Sequence, residues 1–235
     1  MTPSLFPVRG QKEGSVTLCC FSPPVILLTF TIEAGLAVYA WWRYRSTRFG
    51  RLSAVLLVLL SLFQISEWFI CQGGSSLLWS RVGFVATAFL PILGLDFVSM
   101  LAKKKWPMWL GYALATVISG IFVFLPNAFT AAACTGKFVA FQGGSPALDF
   151  LYGFYYVLTM SLGVFLIVRF LKAGAPNRPA LAWLLIGYLA FCLPALALYV
   201  LVLASRTGAA SILCGFAVLL ALILALKVLP AAPKA

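Results

Sequence analysis

The sequence predicts an all-α integral membrane protein with seven transmembrane helices, and three observations support this fold class. Of its 235 residues, 63% are hydrophobic and only 9% are charged, and the mean hydropathy is +1.05. A soluble domain exposes far more charge, so this composition indicates that lipid is the surrounding solvent. The apolar residues are also grouped into long segments, and the basic residues are concentrated in alternate connections between them.

Seven apolar segments are each about as long as a helix that crosses the hydrocarbon core, which takes roughly 20 residues. The predicted spans are 24–44, 52–71, 82–102, 107–125, 148–171, 180–203 and 209–229. The first residues are polar and lack the apolar core of a signal peptide. We therefore expect a flexible N-terminal tail over 1–22, one membrane domain over 23–230 and a C-terminal tail over 231–235.

The distribution of basic residues predicts how the chain is oriented. Twelve lie in or beside the connections near 43–51, 103–105 and 169–178 or after helix 7, whereas five lie on the opposite side. The positive-inside rule then places the N-terminus outside and the C-terminus in the cytoplasm of a bacterial inner membrane. The net charge of +12 is thus explained by topology and by contact with anionic membrane lipid, and we expect no nucleic-acid partner.

Three of the five acidic residues lie inside apolar segments: Glu33 in helix 1, Glu67 in helix 2 and Asp96 in helix 3. A carboxylate at bilayer depth costs several kcal/mol unless it is protonated, paired or facing water inside a bundle. Because no basic residue lies in a helix interior, we expect these acids to lack an internal cation. They are the leading candidates for a functional site.

Helix 2 carries a polar stripe that points to the bundle interior. Ser61, Gln64, Glu67 and Cys71 recur at spacings of three and four, which places them on one helical face. With a rise of ~1.5 Å per residue, Glu67 lies about 6 Å and Glu33 about 14 Å below the outer ends of their helices. The two glutamates are expected to share an outward-opening cavity, with Asp96 deeper, in the inner third.

The longest connection, the outer loop 126–146, predicts a small hairpin. A Thr135-Gly136 step separates two apolar and aromatic arms. Such a hairpin serves either as a lid over the outer mouth of the bundle or as a cover for helix ends. Cys134 in this loop and Cys71 are disulfide candidates in an oxidising compartment, with free thiols as the alternative.

Helix 5 adds Tyr152 and Tyr156 on one face, and a phenol hydroxyl is a suitable partner for a buried carboxyl group. Cys20, Glu67 and Cys71 are candidate metal ligands, because carboxylate and thiolate together hold zinc or copper. The chain has no histidine, which disfavours a transition metal and excludes bis-histidine haem. Lys227 lies at the end of helix 7, so no retinal is expected.

Three segments carry a resemblance to other proteins: CFSPPVILLTFTIEAGLAVYAWWRYR, LFQISEWFIC and WSRVGFVATAFLPILGLDFV. They resemble an uncharacterised family of small bacterial seven-helix integral membrane proteins. Members begin with Cys-Phe/Tyr-Ser-Pro, have a glutamate in each of the first two helices and continue with a proline-bearing third helix. On this chain the resemblance implies that the family's polar positions are Cys20, Glu33, Gln64, Glu67 and Cys71.

The chain departs from that family at one position, because relatives often carry histidine where it has Asp96. This departure puts a shared metal site in doubt. The third helix also has a distant likeness to the seven-helix sensory region at the N-terminus of some histidine kinases. Neither likeness implies a known activity or cofactor.

These features predict a sensor- or receptor-like membrane protein that binds a small ligand or cation in an outward-facing polar pocket. Glu33 and Glu67 would bind or exchange protons, Gln64 and Tyr152 would orient them, and a signalling partner protein would relay the state. One alternative is a proton- or cation-coupled transporter that uses Asp96 as a further relay group. A second is an intramembrane enzyme acting on lipid, which no nucleophile–base pair supports. A purely structural alternative is that the protonated acids hold helices together.

Overall fold

The computed structural model describes residues 23–125, 128–135, 138–202 and 208–232. The elements in chain order are α1 (Pro23–Tyr44), α2 (Arg48–Cys71), α3 (Ser76–Leu101), α4 (Met108–Phe124), β1 (Phe129–Cys134), β2 (Val139–Gly143), α5 (Pro146–Lys172), α6 (Arg178–Leu201) and α7 (Ala209–Ile223). A π-helical turn (Leu224–Val228) extends α7 into a last helical turn (Leu229–Ala231).

Within the described residues, six helices are long and apolar enough to cross a membrane: α1, α2, α3, α5, α6 and the continuous segment Ala209–Ala231. The seventh predicted span, α4, is a shorter apolar helix of 17 residues. Large apolar side chains cover the outside, with Trp42 80%, Phe124 82% and Phe150 72% exposed. Such a surface suits lipid and not water. The chain is therefore an all-α protein of the multi-pass membrane type.

The second helix begins earlier than hydropathy indicates. It starts at Arg48 and not at 52, because the Thr47 side chain accepts a hydrogen bond (2.9 Å) from the Gly50 N–H and caps the helix. Hydropathy marks where apolar residues begin, whereas the cap marks where the helix begins. The extra turn places Arg48 inside the helix, beside α3.

The helices pack around α3, which contacts α2, α4, α5 and α6. On one side α1 packs against α2 and α7, and α7 packs against α6. The largest apolar core lies among α2, α3, α6 and α7, and a smaller one joins α3, α4 and α5. We call the end with connections 45–47, 102–107 and 173–177 the basic face, and the opposite end, with connection 72–75 and strands β1 and β2, the hairpin face.

The predicted hairpin is present in the loop 126–146. Strands β1 and β2 pair antiparallel, with Cys134 opposite Val139, and the Thr135 N–H donates to the Phe138 carbonyl (3.0 Å). A disulfide joins Cys134 to Cys71 at the end of α2. The Phe141 ring packs against Phe63 of α2 and Phe84 of α3. The hairpin is therefore attached to α2 both covalently and by packing.

Candidate functional site: a buried acid pair beneath the hairpin

The acid site is a cluster of five buried polar residues from three helices, near the hairpin face. Its members are Glu33 of α1, Gln64 and Glu67 of α2, and Ser211 and Cys214 of α7. Each is at most 2% exposed. The cluster is enclosed because α1, α2 and α7 pack on one another at this level.

The sequence of α1 places Glu33 in the middle of a buried stripe. Ile26, Thr29, Glu33, Ala37 and Ala40 are its buried residues, and they recur every three or four positions. Small alanines at two of these positions allow α2 to approach α1 closely. The Glu33 carboxyl group is therefore directed into the bundle, where its exposed fraction is 0%.

On α2, the predicted polar stripe does face the interior: Ser61, Gln64 and Glu67 are 7%, 1% and 1% exposed. The Gln64 Nε2 donates to the Cys214 carbonyl oxygen of α7 (3.0 Å). Near the hairpin-face end of α7, the Ser211 hydroxyl interacts with the Glu67 carboxyl group, and its Oγ accepts from the Val139 N–H of β2 (3.3 Å). The hairpin is thus connected through one serine to the acid site.

The two carboxyl groups of the acid site are close enough to interact electrostatically, and Cys214 lies within the same range of both. Among the described residues, both Glu33 oxygens and Oε1 of Glu67 are buried without a hydrogen-bond partner. A buried polar atom without a partner costs about 1–3 kcal/mol, and more if it is charged. Three such atoms in one place indicate a site that accommodates a proton or an external ligand.

Asp96 stands apart and has partners, which corrects the expectation that all three acids lack a cation. Its Oδ2 lies 3.4 Å from Nη2 of Arg48 and accepts from the Tyr112 hydroxyl (3.1 Å), and Ser99 reaches its other oxygen (3.4 Å). Arg48 is a surface residue at the basic face that extends along the first turn of α2. The sequence does not predict this ion pair, because hydropathy places Arg48 in the connection before α2 and not in the helix.

The two tyrosines predicted for the site lie outside the acid site. The Tyr152 hydroxyl is hydrogen-bonded to Thr87 of α3 (2.6 Å), and its ring packs against Phe84 and Phe122. The Tyr152 hydroxyl therefore joins α5 to α3, and its role in orienting the glutamates stays a prediction. Tyr156 lines a cavity together with Cys214 of the acid site.

A narrow cavity lies inside the bundle next to the acid site. Its volume is about 30 Å³, and Tyr156, Tyr188 and Cys214 line it together with apolar side chains of α2, α3, α6 and α7. About 10–15 Å³ suffices for one water, so the cavity has room for one or two water molecules. Glu33 and Glu67 do not line this cavity. The expected outward-opening pocket is thus replaced, in the described part of the chain, by a covered site.

Of the candidate metal ligands, Cys71 is not available to bind a metal. Cys71 is bonded to Cys134, so its sulfur is not a thiolate, and Cys20 lies outside the described residues. Within the described ranges, no group of three or more Cys, Asp or Glu residues is arranged to hold a metal. Of the two candidates that the structure describes, Glu67 belongs to the acid site and Cys71 does not.

Sequence reasoning missed Ser211 and Cys214 as members of the acid site. Ser211 and Cys214 lie three apart in α7, so one face of that helix carries both, and this spacing was a usable signal. Their partners are about 150 residues away in sequence, as for Gln64 and Cys214. Which helix α7 approaches is a tertiary property that spacing does not contain.

Comparisons with known proteins give no assignment: no family model matches the chain, and no curated protein matches it. The resemblance to the uncharacterised seven-helix family stays a prediction. The functional argument therefore depends on the acid site itself.

Proposed function

We propose that this chain is a sensor- or receptor-like protein of a bacterial inner membrane that binds a proton or small cation at Glu33 and Glu67. In this proposal α4 is the seventh span, because 17 residues reach the lower limit for crossing the hydrocarbon core. The hairpin face lies outside, which agrees with the basic residues of the opposite face and with a disulfide at this end. The bound state is relayed to a signalling partner protein.

One observation carries the proposal: two buried carboxyl groups lie within the range of charge–charge interaction, and three of their four oxygens have no hydrogen-bond partner among the described residues. Two carboxylates within this range repel each other, so a proton or a cation bound at either group lowers the repulsion. A small cation also gains oxygen ligands that the protein does not use otherwise. The hairpin covers the site and is connected to it through Val139 and Ser211, so its position depends on what is bound.

Infrared spectroscopy of the purified protein tests this proposal. We expect a C=O stretching band of a protonated, buried carboxylic acid that weakens in Glu33→Gln and in Glu67→Gln. Added sodium, potassium or calcium ions should weaken the same band in the unmodified protein, because a bound cation replaces the proton. Asp149→Asn is the matched control, since Asp149 is an exposed acid at the start of α5.

The competing structural explanation gives a different result. If the acids only hold helices together, the band is insensitive to cations and to pH over the whole range in which the protein stays folded. That outcome would contradict the proposed binding function. Glutamine replaces each carboxyl group with a neutral group of nearly equal size, so folding is expected to be retained in both variants.

Transport coupled to protons or cations is the second candidate, and the small cavity favours it. The cavity lies between the level of the acid site, marked by Cys214, and the level of Asp96, marked by Gly94 and Phe97. Water there, with the hydroxyl groups of Tyr156 and Tyr188, would extend a path toward Asp96. Such a transporter shows pH-driven flux in proteoliposomes that Glu67→Gln abolishes. Unchanged flux in that variant would rule out this candidate.

A further inference from the structure

We propose that a groove between α1 and α2, at the lipid-facing surface, binds one anionic phospholipid. One acyl chain would occupy the groove, and Arg45 and Arg51 would bind the phosphate of the headgroup. The proposal concerns the basic half of the bundle, and it does not depend on the function proposed for Glu33 and Glu67.

The groove has a volume of about 480 Å³ and is lined almost entirely by apolar side chains. Its walls include Ala34, Ala37 and Trp41 of α1 and Ala54, Val58 and Ser61 of α2. Alanine and serine along its floor leave space that larger residues would fill, while Trp41 and Val58 form exposed edges (51% each). This volume is within the usual range of sites for small molecules, roughly 300–1,000 Å³.

Two arginines lie at the basic end of this groove. Arg51 precedes Ala54, Val55 and Val58 by three, four and seven residues, so it continues the groove-lining face of α2 by one turn. Arg45 follows Trp41 by four residues, and its N–H donates to the Trp41 carbonyl (3.0 Å), which extends the face of α1 in the same way. Both arginines are exposed.

These arginines are free to bind an anion. The one ion pair between described residues is Arg48–Asp96 (3.4 Å), and Arg43 lies over the Tyr44 ring at 5.6 Å. Arg45 and Arg51 take part in neither contact. Guanidinium groups bind phosphate through paired hydrogen bonds, and basic residues at a membrane surface attract anionic headgroups.

The apolar groove and the two arginines at its end together favour a phospholipid as the occupant. A transmembrane helix of a partner would fill the apolar space but would leave the two arginines unpaired. A phospholipid supplies a flexible apolar chain at the depth of the groove and a phosphate at the height of the arginines. Trp41 lies between these two levels, where tryptophan is favoured in membrane proteins.

Native mass spectrometry of the detergent-purified protein tests the site, with phosphatidylglycerol and phosphatidylcholine of the same acyl chains as probes. We expect one tightly retained phosphatidylglycerol and clearly weaker retention of phosphatidylcholine. The double variant R45Q/R51Q should bind phosphatidylglycerol about 25-fold more weakly, at about fivefold for each arginine. Lys103→Gln with Lys104→Gln is the control, because it removes two exposed charges at the same face.

A second variant tests the groove without changing charge. Ala34→Leu fills the groove and should weaken phosphatidylglycerol binding at least fivefold, whereas Ala113→Leu, on the exposed side of α4, should not. Equal retention of both lipids, equal loss in the lysine control, or full binding by Ala34→Leu would each overturn the proposal. The first two outcomes would indicate an unspecific attraction of anionic lipid to the basic face. The third would indicate that the acyl chain of the lipid lies outside this groove.

Discussion

At the scale of single residues, the buried acids are accommodated in two different ways. Asp96 is surrounded by donors, namely the Tyr112 and Ser99 hydroxyl groups and the Arg48 guanidinium. Both oxygens of Glu33 lack a partner among the described residues. A carboxyl group surrounded by donors from other side chains is an anchor between helices, whereas a carboxyl group with none depends on a proton or a ligand. We therefore expect the functional role at Glu33 and Glu67 rather than at Asp96.

The partners of Asp96 are expected to contribute unequally. Tyr112→Phe removes a donor from a buried carboxylate and should lower the free energy of unfolding by about 1.5–3 kcal/mol. Arg48→Gln should lower it by only about 0–1 kcal/mol, because the Arg48 side chain is 70% exposed and water screens the pair. Unfolding in mixed micelles, followed by circular dichroism, measures both. A larger loss in Arg48→Gln would show that the ion pair, and not the phenol, holds Asp96.

At the scale of elements, the spacing of residues in one helix predicted which face of that helix is buried. The Ser61, Gln64 and Glu67 face of α2 was predicted from spacing alone, since a helix that displays polar groups to lipid is unstable. The hairpin was predicted because a turn signal separates two apolar arms. Contacts that depend on two distant elements were not predicted, such as Ser211 with Glu67 and Arg48 with Asp96.

The hairpin itself is the element whose stability the disulfide should control. Cys134→Ser removes the bond to Cys71 and leaves the hairpin attached by the Phe141 contacts and the Val139–Ser211 hydrogen bond. We expect faster amide hydrogen exchange over residues 128–143 and a loss of about 2–4 kcal/mol in global stability, as is usual for a native disulfide. Hydrogen exchange with mass spectrometry measures the first effect.

Cys192→Ser is the matched control for that experiment, because Cys192 is a free thiol in α6, far along the chain from the hairpin. It should leave exchange in the hairpin unchanged. If Cys134→Ser also leaves exchange unchanged, the packing of Phe141 and not the disulfide holds the hairpin over the acid site.

At the scale of the whole molecule, Glu67 and Asp96 lie toward opposite ends of the bundle, and Glu33 lies near the middle of α1. Glu67 and Arg48 are 19 residues apart on α2, which corresponds to about 28 Å along the helix axis. Arg48 contacts Asp96, so the acid site near the hairpin face and the Asp96 cluster near the basic face are separate. Depth was predictable from residue rise alone, and it correctly separated Asp96 from the two glutamates.

The orientation of the bundle decides from which side of the membrane the acid site would take a proton or a cation. Eleven of the 12 basic residues that the structure describes lie at or beside the basic face, which should therefore be cytoplasmic. A membrane-impermeant maleimide applied to intact cells should then label Gly144→Cys beside the hairpin but not Lys104→Cys. Cys19, Cys20 and Cys192 are replaced by serine in the background, while buried Cys214 and the disulfide are retained.

Permeabilised cells supply the control for that labelling, since both introduced thiols should then react. The reverse pattern in intact cells, with Lys104→Cys labelled and Gly144→Cys protected, would show that the hairpin lies on the cytoplasmic side. The disulfide would then have to persist in a reducing compartment, where such bonds are rare. The acid site would in that case bind cytoplasmic cations, because it lies beneath the hairpin and is nearer to the side that the hairpin face occupies.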